Sequence, residues 1–254
     1  MTKNSKNSLQ SIERSFDIIE QLVELESAGL TELSECLDIP KSTVYIHLQT
    51  LVQRGYVTKY GDDYRPSFRF LQLGGQMRHR LPLYRHGRPK VDELAQQTGE
   101  LVNLAIEERG RGVVIYISKG QDAAINLEPM GKYGYLHQPA YGKAILAQRT
   151  PEDVNNIIDR HGMRKLTQNT ISDRDQLHDE LRKTRERGYA LELDEGEEGL
   201  GCIGVAITDS ENGVIGAVSI SMPSTKISNT DVQKEMAQKL QNTANVIELK
   251  IEHT

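Results

Sequence analysis

Residues 30–57 read LTELSECLDIPKSTVYIHLQTLVQRGYV, and this stretch decides the fold of the N-terminal part of the chain. Its first half predicts a short helix that has Thr31 at its N-cap and stops at Ile39-Pro40. A second helix follows at once, over residues 41–55. Two helices joined by a tight turn form the helix-turn-helix pattern, in which the second helix lies in the major groove of DNA.

The flanking residues extend this pattern into a winged domain. Upstream, residues 8–26 predict an amphipathic helix that ends at Gly29, because apolar side chains recur at helical spacing. These side chains are Ile12, Phe16, Ile19 and Val23. Downstream, residues 56–60 and 64–65 predict two short strands around a Gly-Asp-Asp turn. A β-hairpin behind a helix-turn-helix is a wing, so residues 1–66 are predicted to form a winged helix-turn-helix domain.

The outward face of the second helix favours a DNA-reading role. Opposite the inward stripe of Val44, Leu48, Leu51 and Val52, it carries hydroxyl, amide and apolar side chains and no acidic residue. Such groups suit base edges, phosphates and thymine methyl groups. The predicted DNA contacts, including two cations that flank the wing tip, are Lys41, Ser42, Thr43, Tyr45, Ile46, Gln49, Lys59 and Arg65. The alternative is a trihelical interaction module that has no DNA partner.

Charge is distributed unevenly along the chain. The net charge of −5 by itself argues against a protein whose main task is to hold nucleic acid. Residues 9–38, however, contain eight acidic side chains and one basic, whereas residues 39–80 contain seven basic and two acidic. A local basic segment can contact a phosphate backbone while the rest of the chain repels it.

Length and composition indicate an intracellular protein of two domains. The 254 residues exceed the size of most single domains. Because the chain has neither an apolar run of about 18 residues nor an apolar N-terminal segment, we expect a cytoplasmic location and no membrane partner. Cys36 and Cys202 lie far apart without ligand-spaced neighbours, so both are expected to be free thiols and no metal site is predicted.

Residues 67–86 are predicted to link the two domains. Gly74-Gly75 and Pro82 interrupt any long helix, so the segment is interpreted as a broken linker helix and a hinge. A simple spacer with a solvated basic face is the alternative.

Residues 87–254 alternate helical and strand patterns without a strict βαβ order. Strands are predicted at residues 101–106, 113–118, 123–127, 189–193, 203–208 and 214–222. Helices are predicted at residues 91–98, 140–148, 151–160, 172–188 and 229–251. Early strands, central helices and later strands predict an α+β domain with an antiparallel sheet.

Two local patterns in this domain suit a binding pocket. Gly142-Lys143 opens a helix whose first amides, at residues 140–142, can receive a carboxylate or another anion. Ser219 and Ser221 alternate with apolar residues on one strand, so both hydroxyls share a face, which lines a pocket or faces solvent. His137 has no second ligand at a usable spacing and is therefore predicted to be structural.

Motifs of catalysis are missing from the sequence. G-x-S-x-G, the P-loop, G-x-G-x-x-G and H-E-x-x-H do not occur, and GLGCIG at residues 199–204 is a turn into a strand without the helix that a dinucleotide site requires. Neither an enzyme nor a bound cofactor is therefore expected.

Seven strings in order along the chain resemble the IclR-type family of transcription regulators. They are SIERSFDIIEQL (11–22), the stretch at 30–57, YRPSFRFLQLG (64–74), TGELVNLAI (98–106), LHQPAYGKAILA (136–147), RERGYALELDEGEEGLGCIGVAI (185–207) and GAVSIS (216–221). The resemblance covers nearly the whole chain. It implies a GAF-like or PAS-like second domain that senses a small organic acid or aromatic catabolite, and a linker helix that helps to pair subunits.

The resemblance also implies an effector pocket. Its positions in this sequence are Ala140, Tyr141, Glu192, Cys202, Ser219 and Ser221. Tyr141 and Glu192 stand where the family often has a smaller residue and an aspartate, so a reshaped pocket is expected. Two alternatives remain open here: Cys202 is a buried small hydrophobe, or Glu192 belongs to the solvated run of acidic residues around it.

These observations predict a sequence-specific DNA-binding regulator, a homodimer or a dimer of dimers, whose affinity for a double-stranded operator depends on a small-molecule effector. The family usually has His-Arg where this chain has Tyr45-Ile46. The operator sequence therefore does not transfer from relatives. The alternative is a ligand sensor that acts through a protein partner without binding DNA.

Overall fold

A computed structural model describes residues 8–123, 130–211 and 213–253. The chain divides into two compact units, Met1–Met77 and Arg78–Thr254, and the boundary falls inside a helix, Arg69–Arg80. The predicted division at residues 66/67 and 86/87 stays a prediction.

The N-terminal unit contains a helix-turn-helix and a three-stranded sheet. Its helices are α1 (Gln10–Leu25), α2 (Leu30–Leu37), α3 (Lys41–Gln53) and the first part of α4 (Arg69–Arg80). Its strands are β1 (Ala28–Gly29), β2 (Val57–Tyr60) and β3 (Asp63–Pro66), and they pair antiparallel in the order β1-β3-β2. The hairpin of β2 and β3 confirms the predicted wing, and β1 adds a strand that the sequence pattern did not predict.

The core of this unit corrects the predicted face of α1. Ile18 and Leu22 are the buried residues of α1, whereas Ile12, Phe16 and Val23 are each more than half exposed. Apolar residues cover a wider arc of α1 than one packing face. Of the predicted stripe, Ile19 is half-buried and packs against the core, which otherwise uses an arc that the stripe did not name. An exposed apolar surface therefore remains along α1.

Two local predictions about helix ends are also wrong. Helix α2 begins at Leu30 with Gly29 as its N-cap, so Thr31 lies inside the helix. Helix α4 continues through Gly74-Gly75, because glycine costs a helix about 1 kcal/mol relative to alanine but removes no hydrogen bond. The break predicted at Pro82 is confirmed, since α4 ends at Arg80 and Pro82 opens the next helix as a first-turn proline.

The C-terminal unit places helices beside one antiparallel sheet. Its helices are α5 (Pro82–Thr98), α6 (Ala140–Ala147), α7 (Pro151–His161), α8 (Arg174–Arg187), α9 (Ser224–Ile227) and α10 (Thr230–Glu252). Its strands are β4 (Leu101–Glu108), β5 (Arg111–Lys119), β6 (Tyr133–Gly134), β7 (Ala190–Leu193), β8 (Leu200–Asp209) and β9 (Gly213–Pro223). They form a six-stranded sheet in the order β6-β5-β4-β9-β8-β7, which confirms the predicted α+β class.

Apolar clusters lie on both sides of this sheet. One packs α5 and α10 against it through side chains such as Leu94, Ile220 and Leu240. The other packs α6 and α8 through Ile145 and Leu181. The short elements β6 and α9 were not predicted, and most of the strand candidate at residues 123–127 lies outside the described residues. The first turn of α6 lies against the middle of β8 at Gly204, which is paired with Ser219 of β9.

Candidate DNA-reading surface and ligand pocket

The outward face of α3 is exposed as predicted. Tyr45 and Ile46 are 48% and 65% exposed, and Lys41, Ser42 and Gln49 are exposed as well, with Thr43 half-buried. On the opposite side Val44, Leu48 and Leu51 are buried, and Val52 is half-buried. The helix therefore presents hydroxyl, amide and apolar groups to solvent, with one cation at its first residue.

A contact between α1 and α3 was missed by sequence reasoning. Ser15 Oγ lies 2.8 Å from His47 Nδ1, 32 residues away along the chain. The hydrogen bond joins the first helix to the flank of the reading helix and helps to fix the angle at which α3 presents its outward face.

The wing holds its two predicted cations on opposite faces. Lys59 is paired with Tyr64, and Arg65 with Thr58, and directly paired residues share a face while successive residues alternate. The Lys59 ammonium lies 5.6 Å from the centre of the Tyr64 ring. Arg65 lies over the Tyr60 ring and donates from Nε to Ser27 Oγ at 3.2 Å. Lys59 and Arg65 therefore do not form one cationic tip.

The C-terminal unit contains a cavity of about 420 Å³. Strands β4, β5, β7, β8 and β9 line it on one side, which forms its floor, and its other walls come from the first turn of α6 and from the segments around residues 132–135, 164–166 and 196–200. All six predicted effector positions line it: Ala140, Tyr141, Glu192, Cys202, Ser219 and Ser221.

The register of the sheet assembles the polar part of the floor. Glu192 is paired with Cys202, Cys202 with Ser221, and Ser221 with Leu101, so these four side chains form one row across four strands. In the next row on the same face, two residues away along the strands, Ser219 lies between Gly204 and Asn103. Side chains on adjacent strands in such rows are close neighbours.

Both serines are buried, so the alternative of a solvent-facing strand edge is wrong. Ser221 Oγ accepts hydrogen bonds from Cys202 Sγ at 3.2 Å and from Asn103 Nδ2 at 3.3 Å. Ser219 is 1% exposed, and among the described residues its hydroxyl has no hydrogen-bond partner. A buried hydroxyl that lines a cavity without a protein partner suits a bound polar group.

Glu192 belongs to the pocket floor and not to the solvated acidic run. It is 2% exposed, and its Oε1 accepts the backbone amides of Glu195 at 2.9 Å and Gly196 at 3.2 Å. Burial raises the pKa of Glu192. Burial, reinforced by the neighbouring Glu192, also raises the pKa of the Cys202 thiol well above its ordinary value. Cys202 is therefore a neutral thiol and not a nucleophile.

A buried ion pair lies beside this floor. Lys143 of α6 is fully buried and donates to Glu195 Oε1. Glu195 Oε2 has no hydrogen-bond partner in the described part of the chain, and burial raises the pKa of Glu195 against the opposing effect of Lys143. The Lys143 ammonium thus pairs with Glu195, and its charge also opposes the effect of burial on the pKa of Glu192.

Glycines let α6 approach the sheet closely. A Cβ at Gly204 would lie 2.6 Å from the carbonyl carbon and oxygen of Ala140 and 2.8 Å from the amide nitrogen of Tyr141. A Cβ at Gly142 would lie 2.3 Å from the carbonyl oxygen of Leu136. The clashing atoms all belong to the backbone and cannot rotate away. The first turn of α6 can therefore sit against β8, and next to the segment before it, only because positions 204 and 142 carry no side chain.

Tyr141 fits beside two further glycines. A Cβ at Gly112 would lie 2.8 Å from the Tyr141 ring, and one at Gly134 would lie 3.6 Å from its hydroxyl oxygen. Gly112 and Gly134 are paired across β5 and β6. The bulky Tyr141 side chain thus occupies space that is free because positions 112 and 134 carry no side chain. It forms one wall of the pocket.

The loop that carries Arg164 completes the walls. His137 is buried, its Nε2 lies 3.2 Å from the carbonyl oxygen of Arg164, and burial lowers its pKa. Gln138 Nε2 donates to the same oxygen at 2.6 Å. The structural role predicted for His137 is consistent with these contacts. Sequence reasoning missed Asn103, Gln138 and Arg164 as lining residues; only Asn103, which alternates with Leu101 on one strand, carried a signal.

The described residues form neither a membrane span nor a metal-binding cluster. Within residues 8–123, 130–211 and 213–253, no helix is long and apolar enough to cross a membrane. In the same described part of the chain, no group of three or more His, Cys, Asp and Glu side chains is placed to hold a metal ion.

Comparison with known proteins gives matches along both units. A model described as the IclR helix-turn-helix domain matches residues 11–61, and one described as the bacterial transcriptional regulator IclR C-terminal matches residues 75–249. The chain is 31% identical over 248 residues to the probable HTH-type transcriptional regulator ArcR of Halobacterium salinarum, covering 96% of this chain and 94% of that protein. It is 33% identical over 237 residues to the HTH-type transcriptional regulator KdgR of Escherichia coli, with coverages of 91% and 89%.

A solved structure agrees. The structure of Thermotoga maritima IclR matches with a TM-score of 0.84 at 25% identity, covering 96% of this chain and 100% of that chain. These relatives are transcriptional regulators, so the expectation that the chain is not an enzyme is confirmed. Because the C-terminal family model alone matches more than half of the residues, the chain belongs to the IclR family of DNA-binding transcriptional regulators.

Proposed function

We propose that this regulator binds a specific double-stranded DNA operator as a homodimer, and that a small organic acid in the pocket of the C-terminal unit controls its affinity for that operator. The observation that carries the proposal is Ser219, whose buried hydroxyl lines the cavity without a partner in the described residues. In the division of labour that we propose, residues 1–66 bind DNA, residues 67–86 link, and residues 87–254 bind the effector and oligomerise in the cytoplasm.

The pocket suits a carboxylate near Ser219. The first amides of a helix have no carbonyl partner within the helix, and the helix dipole favours an anion there. Ala140, the first residue of α6, lines the cavity and packs against Gly204, which is paired with Ser219. We assign the carboxylate to this end of the pocket, where the first turn of α6 lies beside Ser219, while Leu101, Val114 and Leu200 provide apolar surface.

On the DNA side, we assign Gln49 and Ser42 to base edges and Lys41 and Lys59 to phosphates. Tyr45 and Ile46 offer apolar contact to thymine methyl groups. Arg65 is held by Tyr60 and Ser27, so its contribution is to stiffen the wing as well as to add positive charge.

Exposed apolar side chains in the N-terminal unit add a second dimer surface to the one that we assign to residues 87–254. Leu9, the N-cap of α1, is 66% exposed, and Ile12, Phe16 and Val23 of α1 are 51%, 57% and 61% exposed. Surfaces of this kind are typical of interfaces between copies of a chain. A symmetric dimer places two reading helices about one turn of DNA apart, or a multiple of it, and a dimer of dimers is built by pairing such units.

The first experiment recovers genomic DNA fragments bound by the purified full-length protein at moderate salt. Gln49→Glu places a charge that phosphates repel on the reading face, and Gln168→Glu makes the same change on an exposed loop of the other unit as the control. We expect wild type and Q168E to enrich one palindromic motif and Q49E to lose it. Recovery of the same motif at equal affinity by Q49E would refute the assigned reading face.

With the operator in hand, the effector half is tested separately. Carboxylic acids are added to the protein–operator complex, and operator affinity is measured for wild type and for Ser219→Ala. At least one acid is expected to change operator affinity in wild type and to act more than tenfold more weakly on S219A. If none of the carboxylic acids changes the operator affinity of wild type, effector control is contradicted but DNA binding is not.

A further inference from the structure

Strand β5 carries a β-bulge beside the pocket. Val114 and Tyr116 of β5 are paired with consecutive residues of β4, so Ile115 between them has no partner on that strand. Because of this extra residue, Ile115 and Tyr116 both pack on the side of α5, whereas Val114 and Ile117 line the cavity. Bulges bend a strand locally and are frequent next to functional sites. The bulge therefore lies between two pocket-lining residues and faces away from the pocket.

The last turn of α4 contacts this bulge through one side chain. Arg78 is half-buried, and its Nη1 donates to the carbonyl oxygen of Ile115 at 3.3 Å. Its Cζ lies 4.6 Å from the centre of the Tyr84 ring, which packs edge-on against the Tyr116 ring at 5.7 Å. The same Nη1 lies 3.4 Å from Met130 Sδ. Arg78 therefore holds the carbonyl of the bulge residue and is itself held by a cation–π contact.

Tyr116 is fixed from its other side as well. Its hydroxyl donates to Asp92 Oδ1 at 2.8 Å, and the Arg88 guanidinium lies 5.7 Å from the centre of its ring. One hydrogen bond and two ring contacts leave this ring little freedom to turn. A shift of the bulge therefore moves the surface against which Arg78 packs.

Arg78 also contacts a segment that forms one wall of the pocket. Met130 leads directly into Gly131, whose amide donates to the carbonyl oxygen of Val114 at 3.0 Å. The residues that follow, 132–135, line the cavity. Both partners of Arg78 Nη1 therefore belong to chain segments that continue into the pocket lining.

The other end of α4 is anchored within the N-terminal unit. The Arg69 guanidinium lies 4.9 Å from the centre of the Tyr56 ring, and Ser67 Oγ, just before the helix, donates to the Gly55 carbonyl oxygen at 2.5 Å. No residue of α4 itself is buried. Contacts at its two ends, and not a packed face, therefore hold this helix, and Arg78 supplies the contact at its last turn.

We propose that Arg78 is the positioning residue that couples the pocket to helix α4. Its hydrogen bond to Ile115 is longer than the usual distance of about 2.9–3.0 Å, so a small displacement of the bulge strengthens or breaks it. A ligand that contacts Val114 or Ile117 acts on the strand on either side of the bulge. The inference rests on the proposed function, because it takes the cavity to be the effector site, and it adds the contact through which the effector acts on α4.

Because coupling between two sites is reciprocal, it is measurable from the DNA side without an effector. Hydrogen exchange of the full-length protein is followed by mass spectrometry, alone and with the DNA fragment that the genomic selection enriches. In wild type we expect the fragment to change exchange by about fivefold or more in peptides that cover residues 113–117 and 131–135. Arg78→Met keeps the aliphatic stem but removes the cation and the donors, so the change should fall below about twofold.

Matched variants assign the effect to the Arg78 contact. Arg78→Lys keeps a cation and a donor, and it should recover part of the response. Arg80→Met is the control, because Arg80 is exposed in the same turn of α4, and it should respond as wild type does. If R78M does not fold, Tyr84→Leu removes the ring beneath the cation, and Tyr84→Phe keeps it.

The free protein tests the contact without DNA. R78M, but not R80M, should speed exchange about threefold at residues 131–135, because only R78M loses the contact to Met130. A role in stability alone would raise exchange across the C-terminal unit of free R78M and leave the DNA-induced change intact.

Four results would overturn the inference: no DNA-induced change in these peptides of wild type, a wild-type change in folded R78M, the same loss in R80M, or equal exchange of free R78M and free R80M at residues 131–135. A carboxylic-acid library without effect on operator affinity would refute effector control and leave this test standing. Conversely, an acid that releases the operator equally well from wild type and R78M would retain the proposed function while the role of Arg78 fails.

Discussion

Substitution of Gly204 by alanine tests whether close packing of α6 on β8 builds the pocket. The new methyl group would lie 2.6 Å from the Ala140 carbonyl carbon and oxygen and 2.8 Å from the Tyr141 amide nitrogen. All three are backbone atoms at the start of a helix whose residues are largely buried, so no side chain can rotate away. The helix must shift by several tenths of an ångström or more.

Overpacking of this kind costs about 1–3 kcal/mol of unfolding free energy. We expect Gly204→Ala to lower the urea midpoint of the C-terminal unit and to weaken binding of any carboxylate that uses the first turn of α6. Gly75→Ala is the matched control, because nothing lies within 4 Å of its new Cβ and alanine improves a helix by up to about 1 kcal/mol. Unchanged stability and ligand affinity in G204A would refute the role given to this contact.

Three further predictions follow from named contacts. Gln49→Ala should relax sequence preference in a binding selection. Lys59→Ala should instead weaken binding to all DNA sequences and reduce the slope of log affinity against log salt concentration by about 1. Identical effects of the two variants would refute this division. Because burial raises the pKa of Glu192 above its ordinary value of 4.5, its stabilising contribution is complete below that value and is lost as pH rises through the folded-state pKa. The unfolding free energy of wild type relative to Glu192→Gln, from urea titrations between pH 4 and 8, should therefore fall with rising pH; a flat difference would contradict the shift. Lys143→Met should lower the unfolding free energy by about 3–5 kcal/mol in the same assay. The double variant Lys143→Met with Glu195→Leu should lower it by less. An equal or larger loss in the double variant would count against the ion pair.

Periodicity predicted the reading helix well because its core positions are spaced for a single face. Val44, Leu48 and Leu51 are buried, and the polar side is exposed. The same reasoning failed on α1, where apolar residues occupy more than one face and the core uses Ile18 and Leu22. Periodicity shows that a helix is amphipathic, but it does not show which arc packs inward when a second arc is also apolar.

Pocket residues were reached by resemblance, and the reason for their assembly lies in strand register. Nothing local in the sequence shows that Glu192 is paired with Cys202, because the acidic residues that follow it are typical of a solvated loop. The structure divides these acidic side chains into two groups. Glu192 and Glu195 are buried, whereas Glu197 and Glu198 are exposed. The pairing of Lys143 with Glu195 spans 52 residues and likewise has no local signal.

Polar contacts also join the separate segments that form the walls of the pocket. Thr167 Oγ1 donates to the Asp194 carbonyl at 2.6 Å, and Thr170 Oγ1 donates to the Glu195 carbonyl at 2.6 Å, so the loop after β7 is tied to the segment that carries Arg164. Lys143 ties that loop to α6. Because directional polar contacts fix these walls, a ligand that engages both Ser219 and Glu192 acts on α6 and on the loop together. Under the proposed function, a ligand in this pocket would therefore be coupled to the positions of these two elements by specific bonds, each of which can be removed one at a time.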